Sequence, residues 1–95
     1  MNKTITKAKL EQYFSITKEA LEKAKVALDE TRLKQAEDFF DMASRYYQDA
    51  GFFYKEQGNF VLAFAALNYA HGWLDAAARI GLFKVKDSRL FTVDA

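Results

Sequence analysis

Residues 43–79, ASRYYQDAGFFYKEQGNFVLAFAALNYAHGWLDAAAR, decide how the rest of the chain is read. Two apolar segments with helical spacing flank the pair Gly58-Asn59. Glycine takes the left-handed conformation that closes a helix, and an asparagine side chain caps the helix that follows. The stretch therefore reads as two long helices folded back on one another. In the first, Ala36, Phe40, Ala43, Tyr47, Ala50 and Tyr54 form one row, with Phe39, Met42, Tyr46 and Phe53 beside it. Two adjacent rows make a wide apolar arc, which calls for two neighbours. In the second, Phe60, Ala63, Leu67, Ala70, Leu74 and Ala77 form one row and Leu62, Ala66, Tyr69, Trp73, Ala76 and Ile80 another. The alanines and Gly72 allow a neighbouring backbone to come close. Only Asn68, His71, Asp75 and Arg79 mark a polar edge, and Gly81 ends the helix.

Toward the N-terminus, Leu10, Phe14, Thr17, Leu21, Ala24 and Leu28 step by four and three, the spacing of one helical face. Thr4 or Thr6 is placed to cap this helix. Asp29-Glu30-Thr31-Arg32 holds no Gly or Pro, yet an unbroken helix from Thr6 to Gln57 would be a rod of about 75 Å. A chain this short cannot cover such a rod, so a tight turn belongs here, with Thr31 as the expected N-cap. Beyond Gly81, Phe83 to Lys86 alternates in polarity, Asp87-Ser88 can turn, and Arg89 to Val93 is rich in strand formers. Two strands alone are marginal, so this tail is expected to lie extended or as a short hairpin on the bundle or on a partner. The expected fold is all-α: an up-and-down three-helix bundle over 1–81, with helices near 5–29, 32–57 and 59–81, and a tail over 82–95.

Composition narrows function by exclusion. Ninety-five residues allow one domain, and 51% hydrophobic content with nine phenylalanines argues against disorder. Fourteen Lys and Arg balance thirteen Asp and Glu, with no basic stripe to favour nucleic acid. Without cysteine there is neither thiol chemistry nor a thiolate metal site. The longest apolar run, Phe60 to Leu67, falls well short of the roughly 20 residues that cross a bilayer. The opening MNKTITKAKLEQ has no apolar h-region, so the chain is expected to be cytoplasmic.

His71 is the single histidine, which removes a multi-histidine zinc site within one chain, and no glutamate precedes it at Glu-x-x-His spacing. No nucleophile with its base, and no paired acids, can be recognised, so an enzyme is not expected and no cofactor is implied. Asp49 falls between Tyr46 and Phe53 on the second apolar row, where partial burial would pair it with a hydroxyl or an arginine. Phe52 and Phe64 sit on nominally polar sides at similar heights of the hairpin, so they form an exposed aromatic patch unless Phe83 or Phe91 covers them or helix phase turns them inward.

The chain resembles a family of short archaeal proteins known as domain of unknown function three-five-seven. The resemblance rests on Tyr46-Tyr47-Gln48-Asp49-Ala50, on Gly58-Asn59 with Ala63, on the run Tyr69 to Ala76 (YAHGWLDA), and on Arg79 and Gly81. It covers most of the chain, most firmly from the second helix onward. It implies a three-helix bundle and an archaeal, cytoplasmic protein, and brings no activity with it. Asp49, Asp75 and Arg79 match the family's polar positions.

Two functions remain. One is a non-catalytic interaction module that self-associates or binds another protein through helix three, the tail or an aromatic surface made of Phe52, Phe64, Trp73, Phe83 and Phe91. The alternative is a small-ligand or nucleotide-binding accessory domain built on Asp49, Tyr69, Asp75 and Arg79. Nucleic-acid binding through Lys84, Lys86 and Arg89 is a distant third.

Overall fold

A computed structural model describes residues 5–91. Helix α1 spans Lys7–Lys25, a 3-10 turn covers Glu30–Arg32, α2 spans Leu33–Lys55 and α3 spans Phe60–Arg79. The three helices pack against one another up, down and up, as the hydrophobic spacing requires. Thr6 caps α1, its hydroxyl accepting from the Lys9 N–H at 3.1 Å. The other cap considered, Thr4, lies outside the described residues.

The hairpin between α2 and α3 closes as its sequence demands. Gly58 takes φ +59, the Asn59 N–H donates to the Phe53 carbonyl at 2.9 Å, and the Asn59 side chain accepts from the Leu62 N–H. At the far end of α3, Gly81 (φ +78) forms a Schellman motif. Its N–H reaches Ala78 O and the Leu82 N–H reaches Ala77 O.

The core follows the apolar rows. Ala36, Ala43 and Ala50 of α2 face Ala63, Leu67, Ala70, Leu74 and Ala77 of α3, all buried. From α1 come Leu10, Thr17, Ala20, Leu21 and Ala24. With alanine at so many contact positions the α2 and α3 backbones lie close, and larger side chains fill the space toward α1. Phe14 there meets Tyr47 edge-on and Tyr54 at a tilt, with ring centroids 5.9 and 5.4 Å apart.

The connection between α1 and α2 departs from expectation. Helix α1 stops four residues early because the segment after α3 captures the backbone beyond it. The Asp29 N–H donates to Leu82 O at 2.8 Å, the Lys84 N–H donates to Ala27 O at 2.7 Å, and Leu28 pairs with Phe83 in an isolated antiparallel bridge. Thr31 is not the cap of α2: Arg32 stands there without a side-chain cap bond, and the 3-10 turn before α2 is capped by Asp29. Its carboxylate accepts from the Thr31 N–H and hydroxyl and from Arg32 Nε. Those donors, Thr31 first and Arg32 next, hold its pKa down from the ordinary 3.8 to about 2. Arg32 also donates to Ile80 O, so one buried acid ties the α1–α2 connection to the end of α3.

The tail is no hairpin among the described residues, and 92–95 lie outside them. It folds back on the bundle because four of its side chains, Leu82, Phe83, Leu90 and Phe91, are buried. Asp87 O accepts from the Leu90 and Phe91 N–H groups in a tight turn. Outside that turn, Lys23 of α1 donates to Asp87 at 2.9 Å and Arg89 donates to Glu19 through both terminal nitrogens. Each carboxyl is held below its ordinary range, Glu19 chiefly by Arg89 and Asp87 chiefly by Lys23.

Candidate functional site

The structure moves two of the aromatics named as an interface into the core. Phe83 and Phe91 are each 1% exposed. Phe83 lies edge-on to Phe40 with centroids 6.4 Å apart. Both rings complete the end of the bundle that α1 leaves open by stopping early, so neither is available to a partner. The proposed patch of Phe52 and Phe64 also separates. Phe64 turns toward α1, where its ring lies 5.1 Å from that of Tyr13, while Phe52 stays exposed beside Phe53. Among the described residues, Phe83 and Phe91 belong to a different cluster from Phe64 and cover neither ring. Trp73, the fifth member, is half-buried with its ring edge-on to Phe39 at 5.1 Å.

The polar candidates do not converge either. Asp49 is exposed on α2, so the partial burial expected for it does not occur. Tyr69 and Asp75 fall on opposite flanks of α3. Asp75 lines a groove of about 370 Å³ against α1 with Tyr13, Thr17, Asn68 and His71. Tyr69 lines a second groove of about 330 Å³ against α2 with Phe39, Gly72 and Trp73. Arg79 lies exposed in the last turn of α3 and lines neither groove.

In the first groove, His71 Nε2 lies 2.6 Å from Leu90 O. A carbonyl only accepts, so Nε2 carries the proton and the ring latches the tail to α3. Asp75 Oδ1 is 3.8 Å from the same nitrogen. The arrangement explains why a histidine stands at this position: it closes an α3–tail contact. Among the described residues no three His, Asp or Glu side chains group closely enough to hold a metal ion. Nor is any helix among them long and apolar enough to cross a membrane. Of the basic tail residues, Lys84 lies 4.0 Å from Asp29 and Arg89 is held by Glu19 and Asp87, so their charge is largely answered within the chain.

What stands out lies on the side of α3 away from the core. From Phe60 to Leu74 the helix carries no charged residue at all. Its first apolar row is buried, but most of the second is not: Leu62 is 43% exposed, Tyr69 63% and Ile80 53%. Val61, beyond the second row on the side of Asn68 and Arg79, is 68% exposed. Ala76 and Gly72 share this outward side and are exposed as well. The rings at its α2 border are organised, since Tyr46 stacks on Tyr69 with centroids 5.3 Å apart and planes 22° apart, one step along from Phe39 on Trp73. In the sequence Tyr46, Leu62 and Ile80 fall on apolar rows, and the apolar arc on helix three is wider than two neighbours in a small bundle need. The signal was present in the count: two rows on α3, and only two other helices.

A family model described as "Protein of unknown function (DUF357)" matches residues 12–83. No curated protein and no solved structure gives a match.

Proposed function

We propose that this chain, which belongs to the DUF357 family, is a non-enzymatic association module whose working surface is the outer face of α3. One observation carries the reading. A helix with two adjacent apolar rows ordinarily buries both, and here most of the second row of α3 faces solvent. Val61, Leu62, Tyr69 and Ile80 lie along it over five turns, with exposed Gly72 and Ala76 between them. Isolated exposed apolar residues need no explanation, whereas a contiguous strip of them marks an interaction site. The stacked Tyr46–Tyr69 pair keeps the α2 border of the strip rigid, which lowers the ordering cost of docking.

The alternative, a small-ligand pocket made of Asp49, Tyr69, Asp75 and Arg79, has less support. The four residues are spread over different faces and share no groove of those described above. The reading is of a cytoplasmic protein that acts by binding protein.

Light scattering over a range of concentrations, run beside binding of an apolar fluorescent dye, tests the proposal. Association is expected, or failing that dye binding, and either should be lost in Ala76→Lys, which sets a charge on the exposed strip. A monomer that binds no dye would overturn it.

A further inference from the structure

The α3 strip has a pattern of side-chain sizes that matches itself when reversed. Consider two copies of α3 laid antiparallel, outer face to outer face, about a two-fold axis passing between Ala70 and His71. Helix geometry then sets Val61 opposite Ile80, Ala65 opposite Ala76, Asn68 opposite Trp73, and Tyr69 opposite Gly72. All of these except Trp73 fall on the outward half of the helix, and Trp73 borders it. At the centre of the strip the largest exposed ring meets the residue with no side chain. The space over the Gly72 Cα is open, with nothing within 4 Å of where a Cβ would stand. The groove of about 330 Å³ beside it is walled by the rings of Phe39 and Trp73. Next to that centre small meets small, and at the ends two branched aliphatic residues meet.

Resting on the reading of the α3 face as the working surface, we infer that its occupant is a second copy of this chain. The two α3 helices pair antiparallel, and Tyr69 of each seats in the Gly72 notch of the other. Three further features favour a second copy over an unlike partner. No charged residue lies on α3 from Phe60 to Leu74, so the centre of the pairing is uncharged, and the exposed Arg79 falls opposite Leu62 near its ends, where a long side chain keeps its charge in water. The chain's net charge is only +1, so two copies scarcely repel. A two-fold contact also needs a self-complementary surface, the property the reversed pattern supplies. A 20-residue helix is about 30 Å long, and the area it covers is below the roughly 800 Å² per partner of a standard interface. The dimer is therefore a reversible one.

One charge variant and one cross-link between two single-cysteine variants test the inference on the full chain. Gly72→Lys fills the notch with a charge while replacing an exposed helical glycine, so the fold tolerates it. Its dimerisation should weaken at least tenfold, read by sedimentation up to about 1 mM protein. For the register, the chain has no cysteine of its own, so Ala65→Cys and Ala76→Cys can be made singly. Opposed small residues on close helices bring Cα atoms to roughly 4–6 Å, within disulfide reach. The same residue on the two copies is offset by about 16 Å along the axis. An oxidised mixture of the two single variants should thus give a linked dimer, and neither variant alone should. Linkage by either variant alone would show a parallel pairing and overturn the inference. So would a mixture that fails to link, or a dimer that survives Gly72→Lys. A wild-type monomer at 1 mM that still binds the apolar dye would overturn the second copy as occupant and leave the α3 face as a docking surface for something else.

Discussion

Replacing Phe83 by alanine tests whether the segment after α3 is part of the core. The ring is 1% exposed, edge-on to Phe40, and its backbone bridges to Leu28 in the α1–α2 connection. Its removal takes a large apolar group out of contact with the main cluster and leaves a cavity where the bundle end is thinnest. Substitutions of this kind cost about 3–5 kcal/mol, and incomplete collapse keeps them at the upper end. A domain of 95 residues has a total stability of roughly 5–14 kcal/mol, so the loss takes about a fifth of it or more. With a urea slope of about 2 kcal/mol per molar, the unfolding midpoint should fall by about 1.5–2.5 M. Equilibrium urea unfolding followed by circular dichroism reads this directly. Phe52→Ala serves as the control, because that ring is half exposed and its loss should stay within about 0.5 kcal/mol. A Phe83→Ala cost below about 1 kcal/mol would refute the reasoning, because it would mean that the tail is not docked.

Four further outcomes follow from the geometry. Gly81→Ala forces a side chain into φ +78 with its Cβ 3.1 Å from Arg32 Nη2, and should cost about 1–2 kcal/mol or more by thermal melting. Gly51→Ala, in open helix, should instead stabilise by about 0.5–1 kcal/mol. Asn59→Ala removes the bond to the Leu62 N–H and should cost about 0.5–2 kcal/mol. Asp29, depressed from 3.8 to about 2, contributes stability that is complete above pH 3.8 and is lost as pH falls through 2. Asp29→Asn should therefore lower the urea midpoint at pH 6 and flatten its decline between pH 4 and 2, the residual slope coming from Glu19 and Asp87. An unchanged slope would count against the Asp29 network.

The parts of this fold that were legible in the sequence are those set by local chemistry. Gly58 and Asn59 announce a helix end and a helix start, and both do what those residue types do best. The rows through Ala63, Leu67, Ala70 and Leu74 and through Ala36, Ala43 and Ala50 turned out to be the buried ones. The α1–α2 connection was illegible for a physical reason. What ends α1 is the backbone of Leu82 and Lys84, more than fifty positions away, and no local signal carries that contact. Thr31 looked like the cap of α2 because threonine caps helices; α2 instead starts after Arg32 with no side-chain cap, and Thr31 donates to Asp29, the cap of the 3-10 turn. The same limit applies to the site. Phe83 and Phe91 follow the last helix in a strand-like segment, and nothing local says that the end of the bundle needs two rings to fill it. Phe64 depends on the phase of α3 against α1, which periodicity leaves free by a few tens of degrees. The face now assigned to association was half legible. The apolar arc on helix three was visibly too wide for its neighbours, but which half would be left uncovered emerged only when the helices were placed.

The central claim is that the uncovered half of α3 is an association surface. The most direct test is the solution mass of the wild-type chain and of Gly72→Lys, compared at equal concentration together with their thermal stabilities as monomers. The wild type should approach twice the 10.9 kDa of a single chain as concentration rises. Gly72→Lys should remain at the monomer mass, with an intrinsic helix stability higher by about 0.5–1 kcal/mol, since lysine is the better helix former. Association lost while the fold is strengthened is the signature of a surface effect. Equal masses for the two proteins, either both dimeric or both monomeric with no binding of the apolar dye, would contradict it.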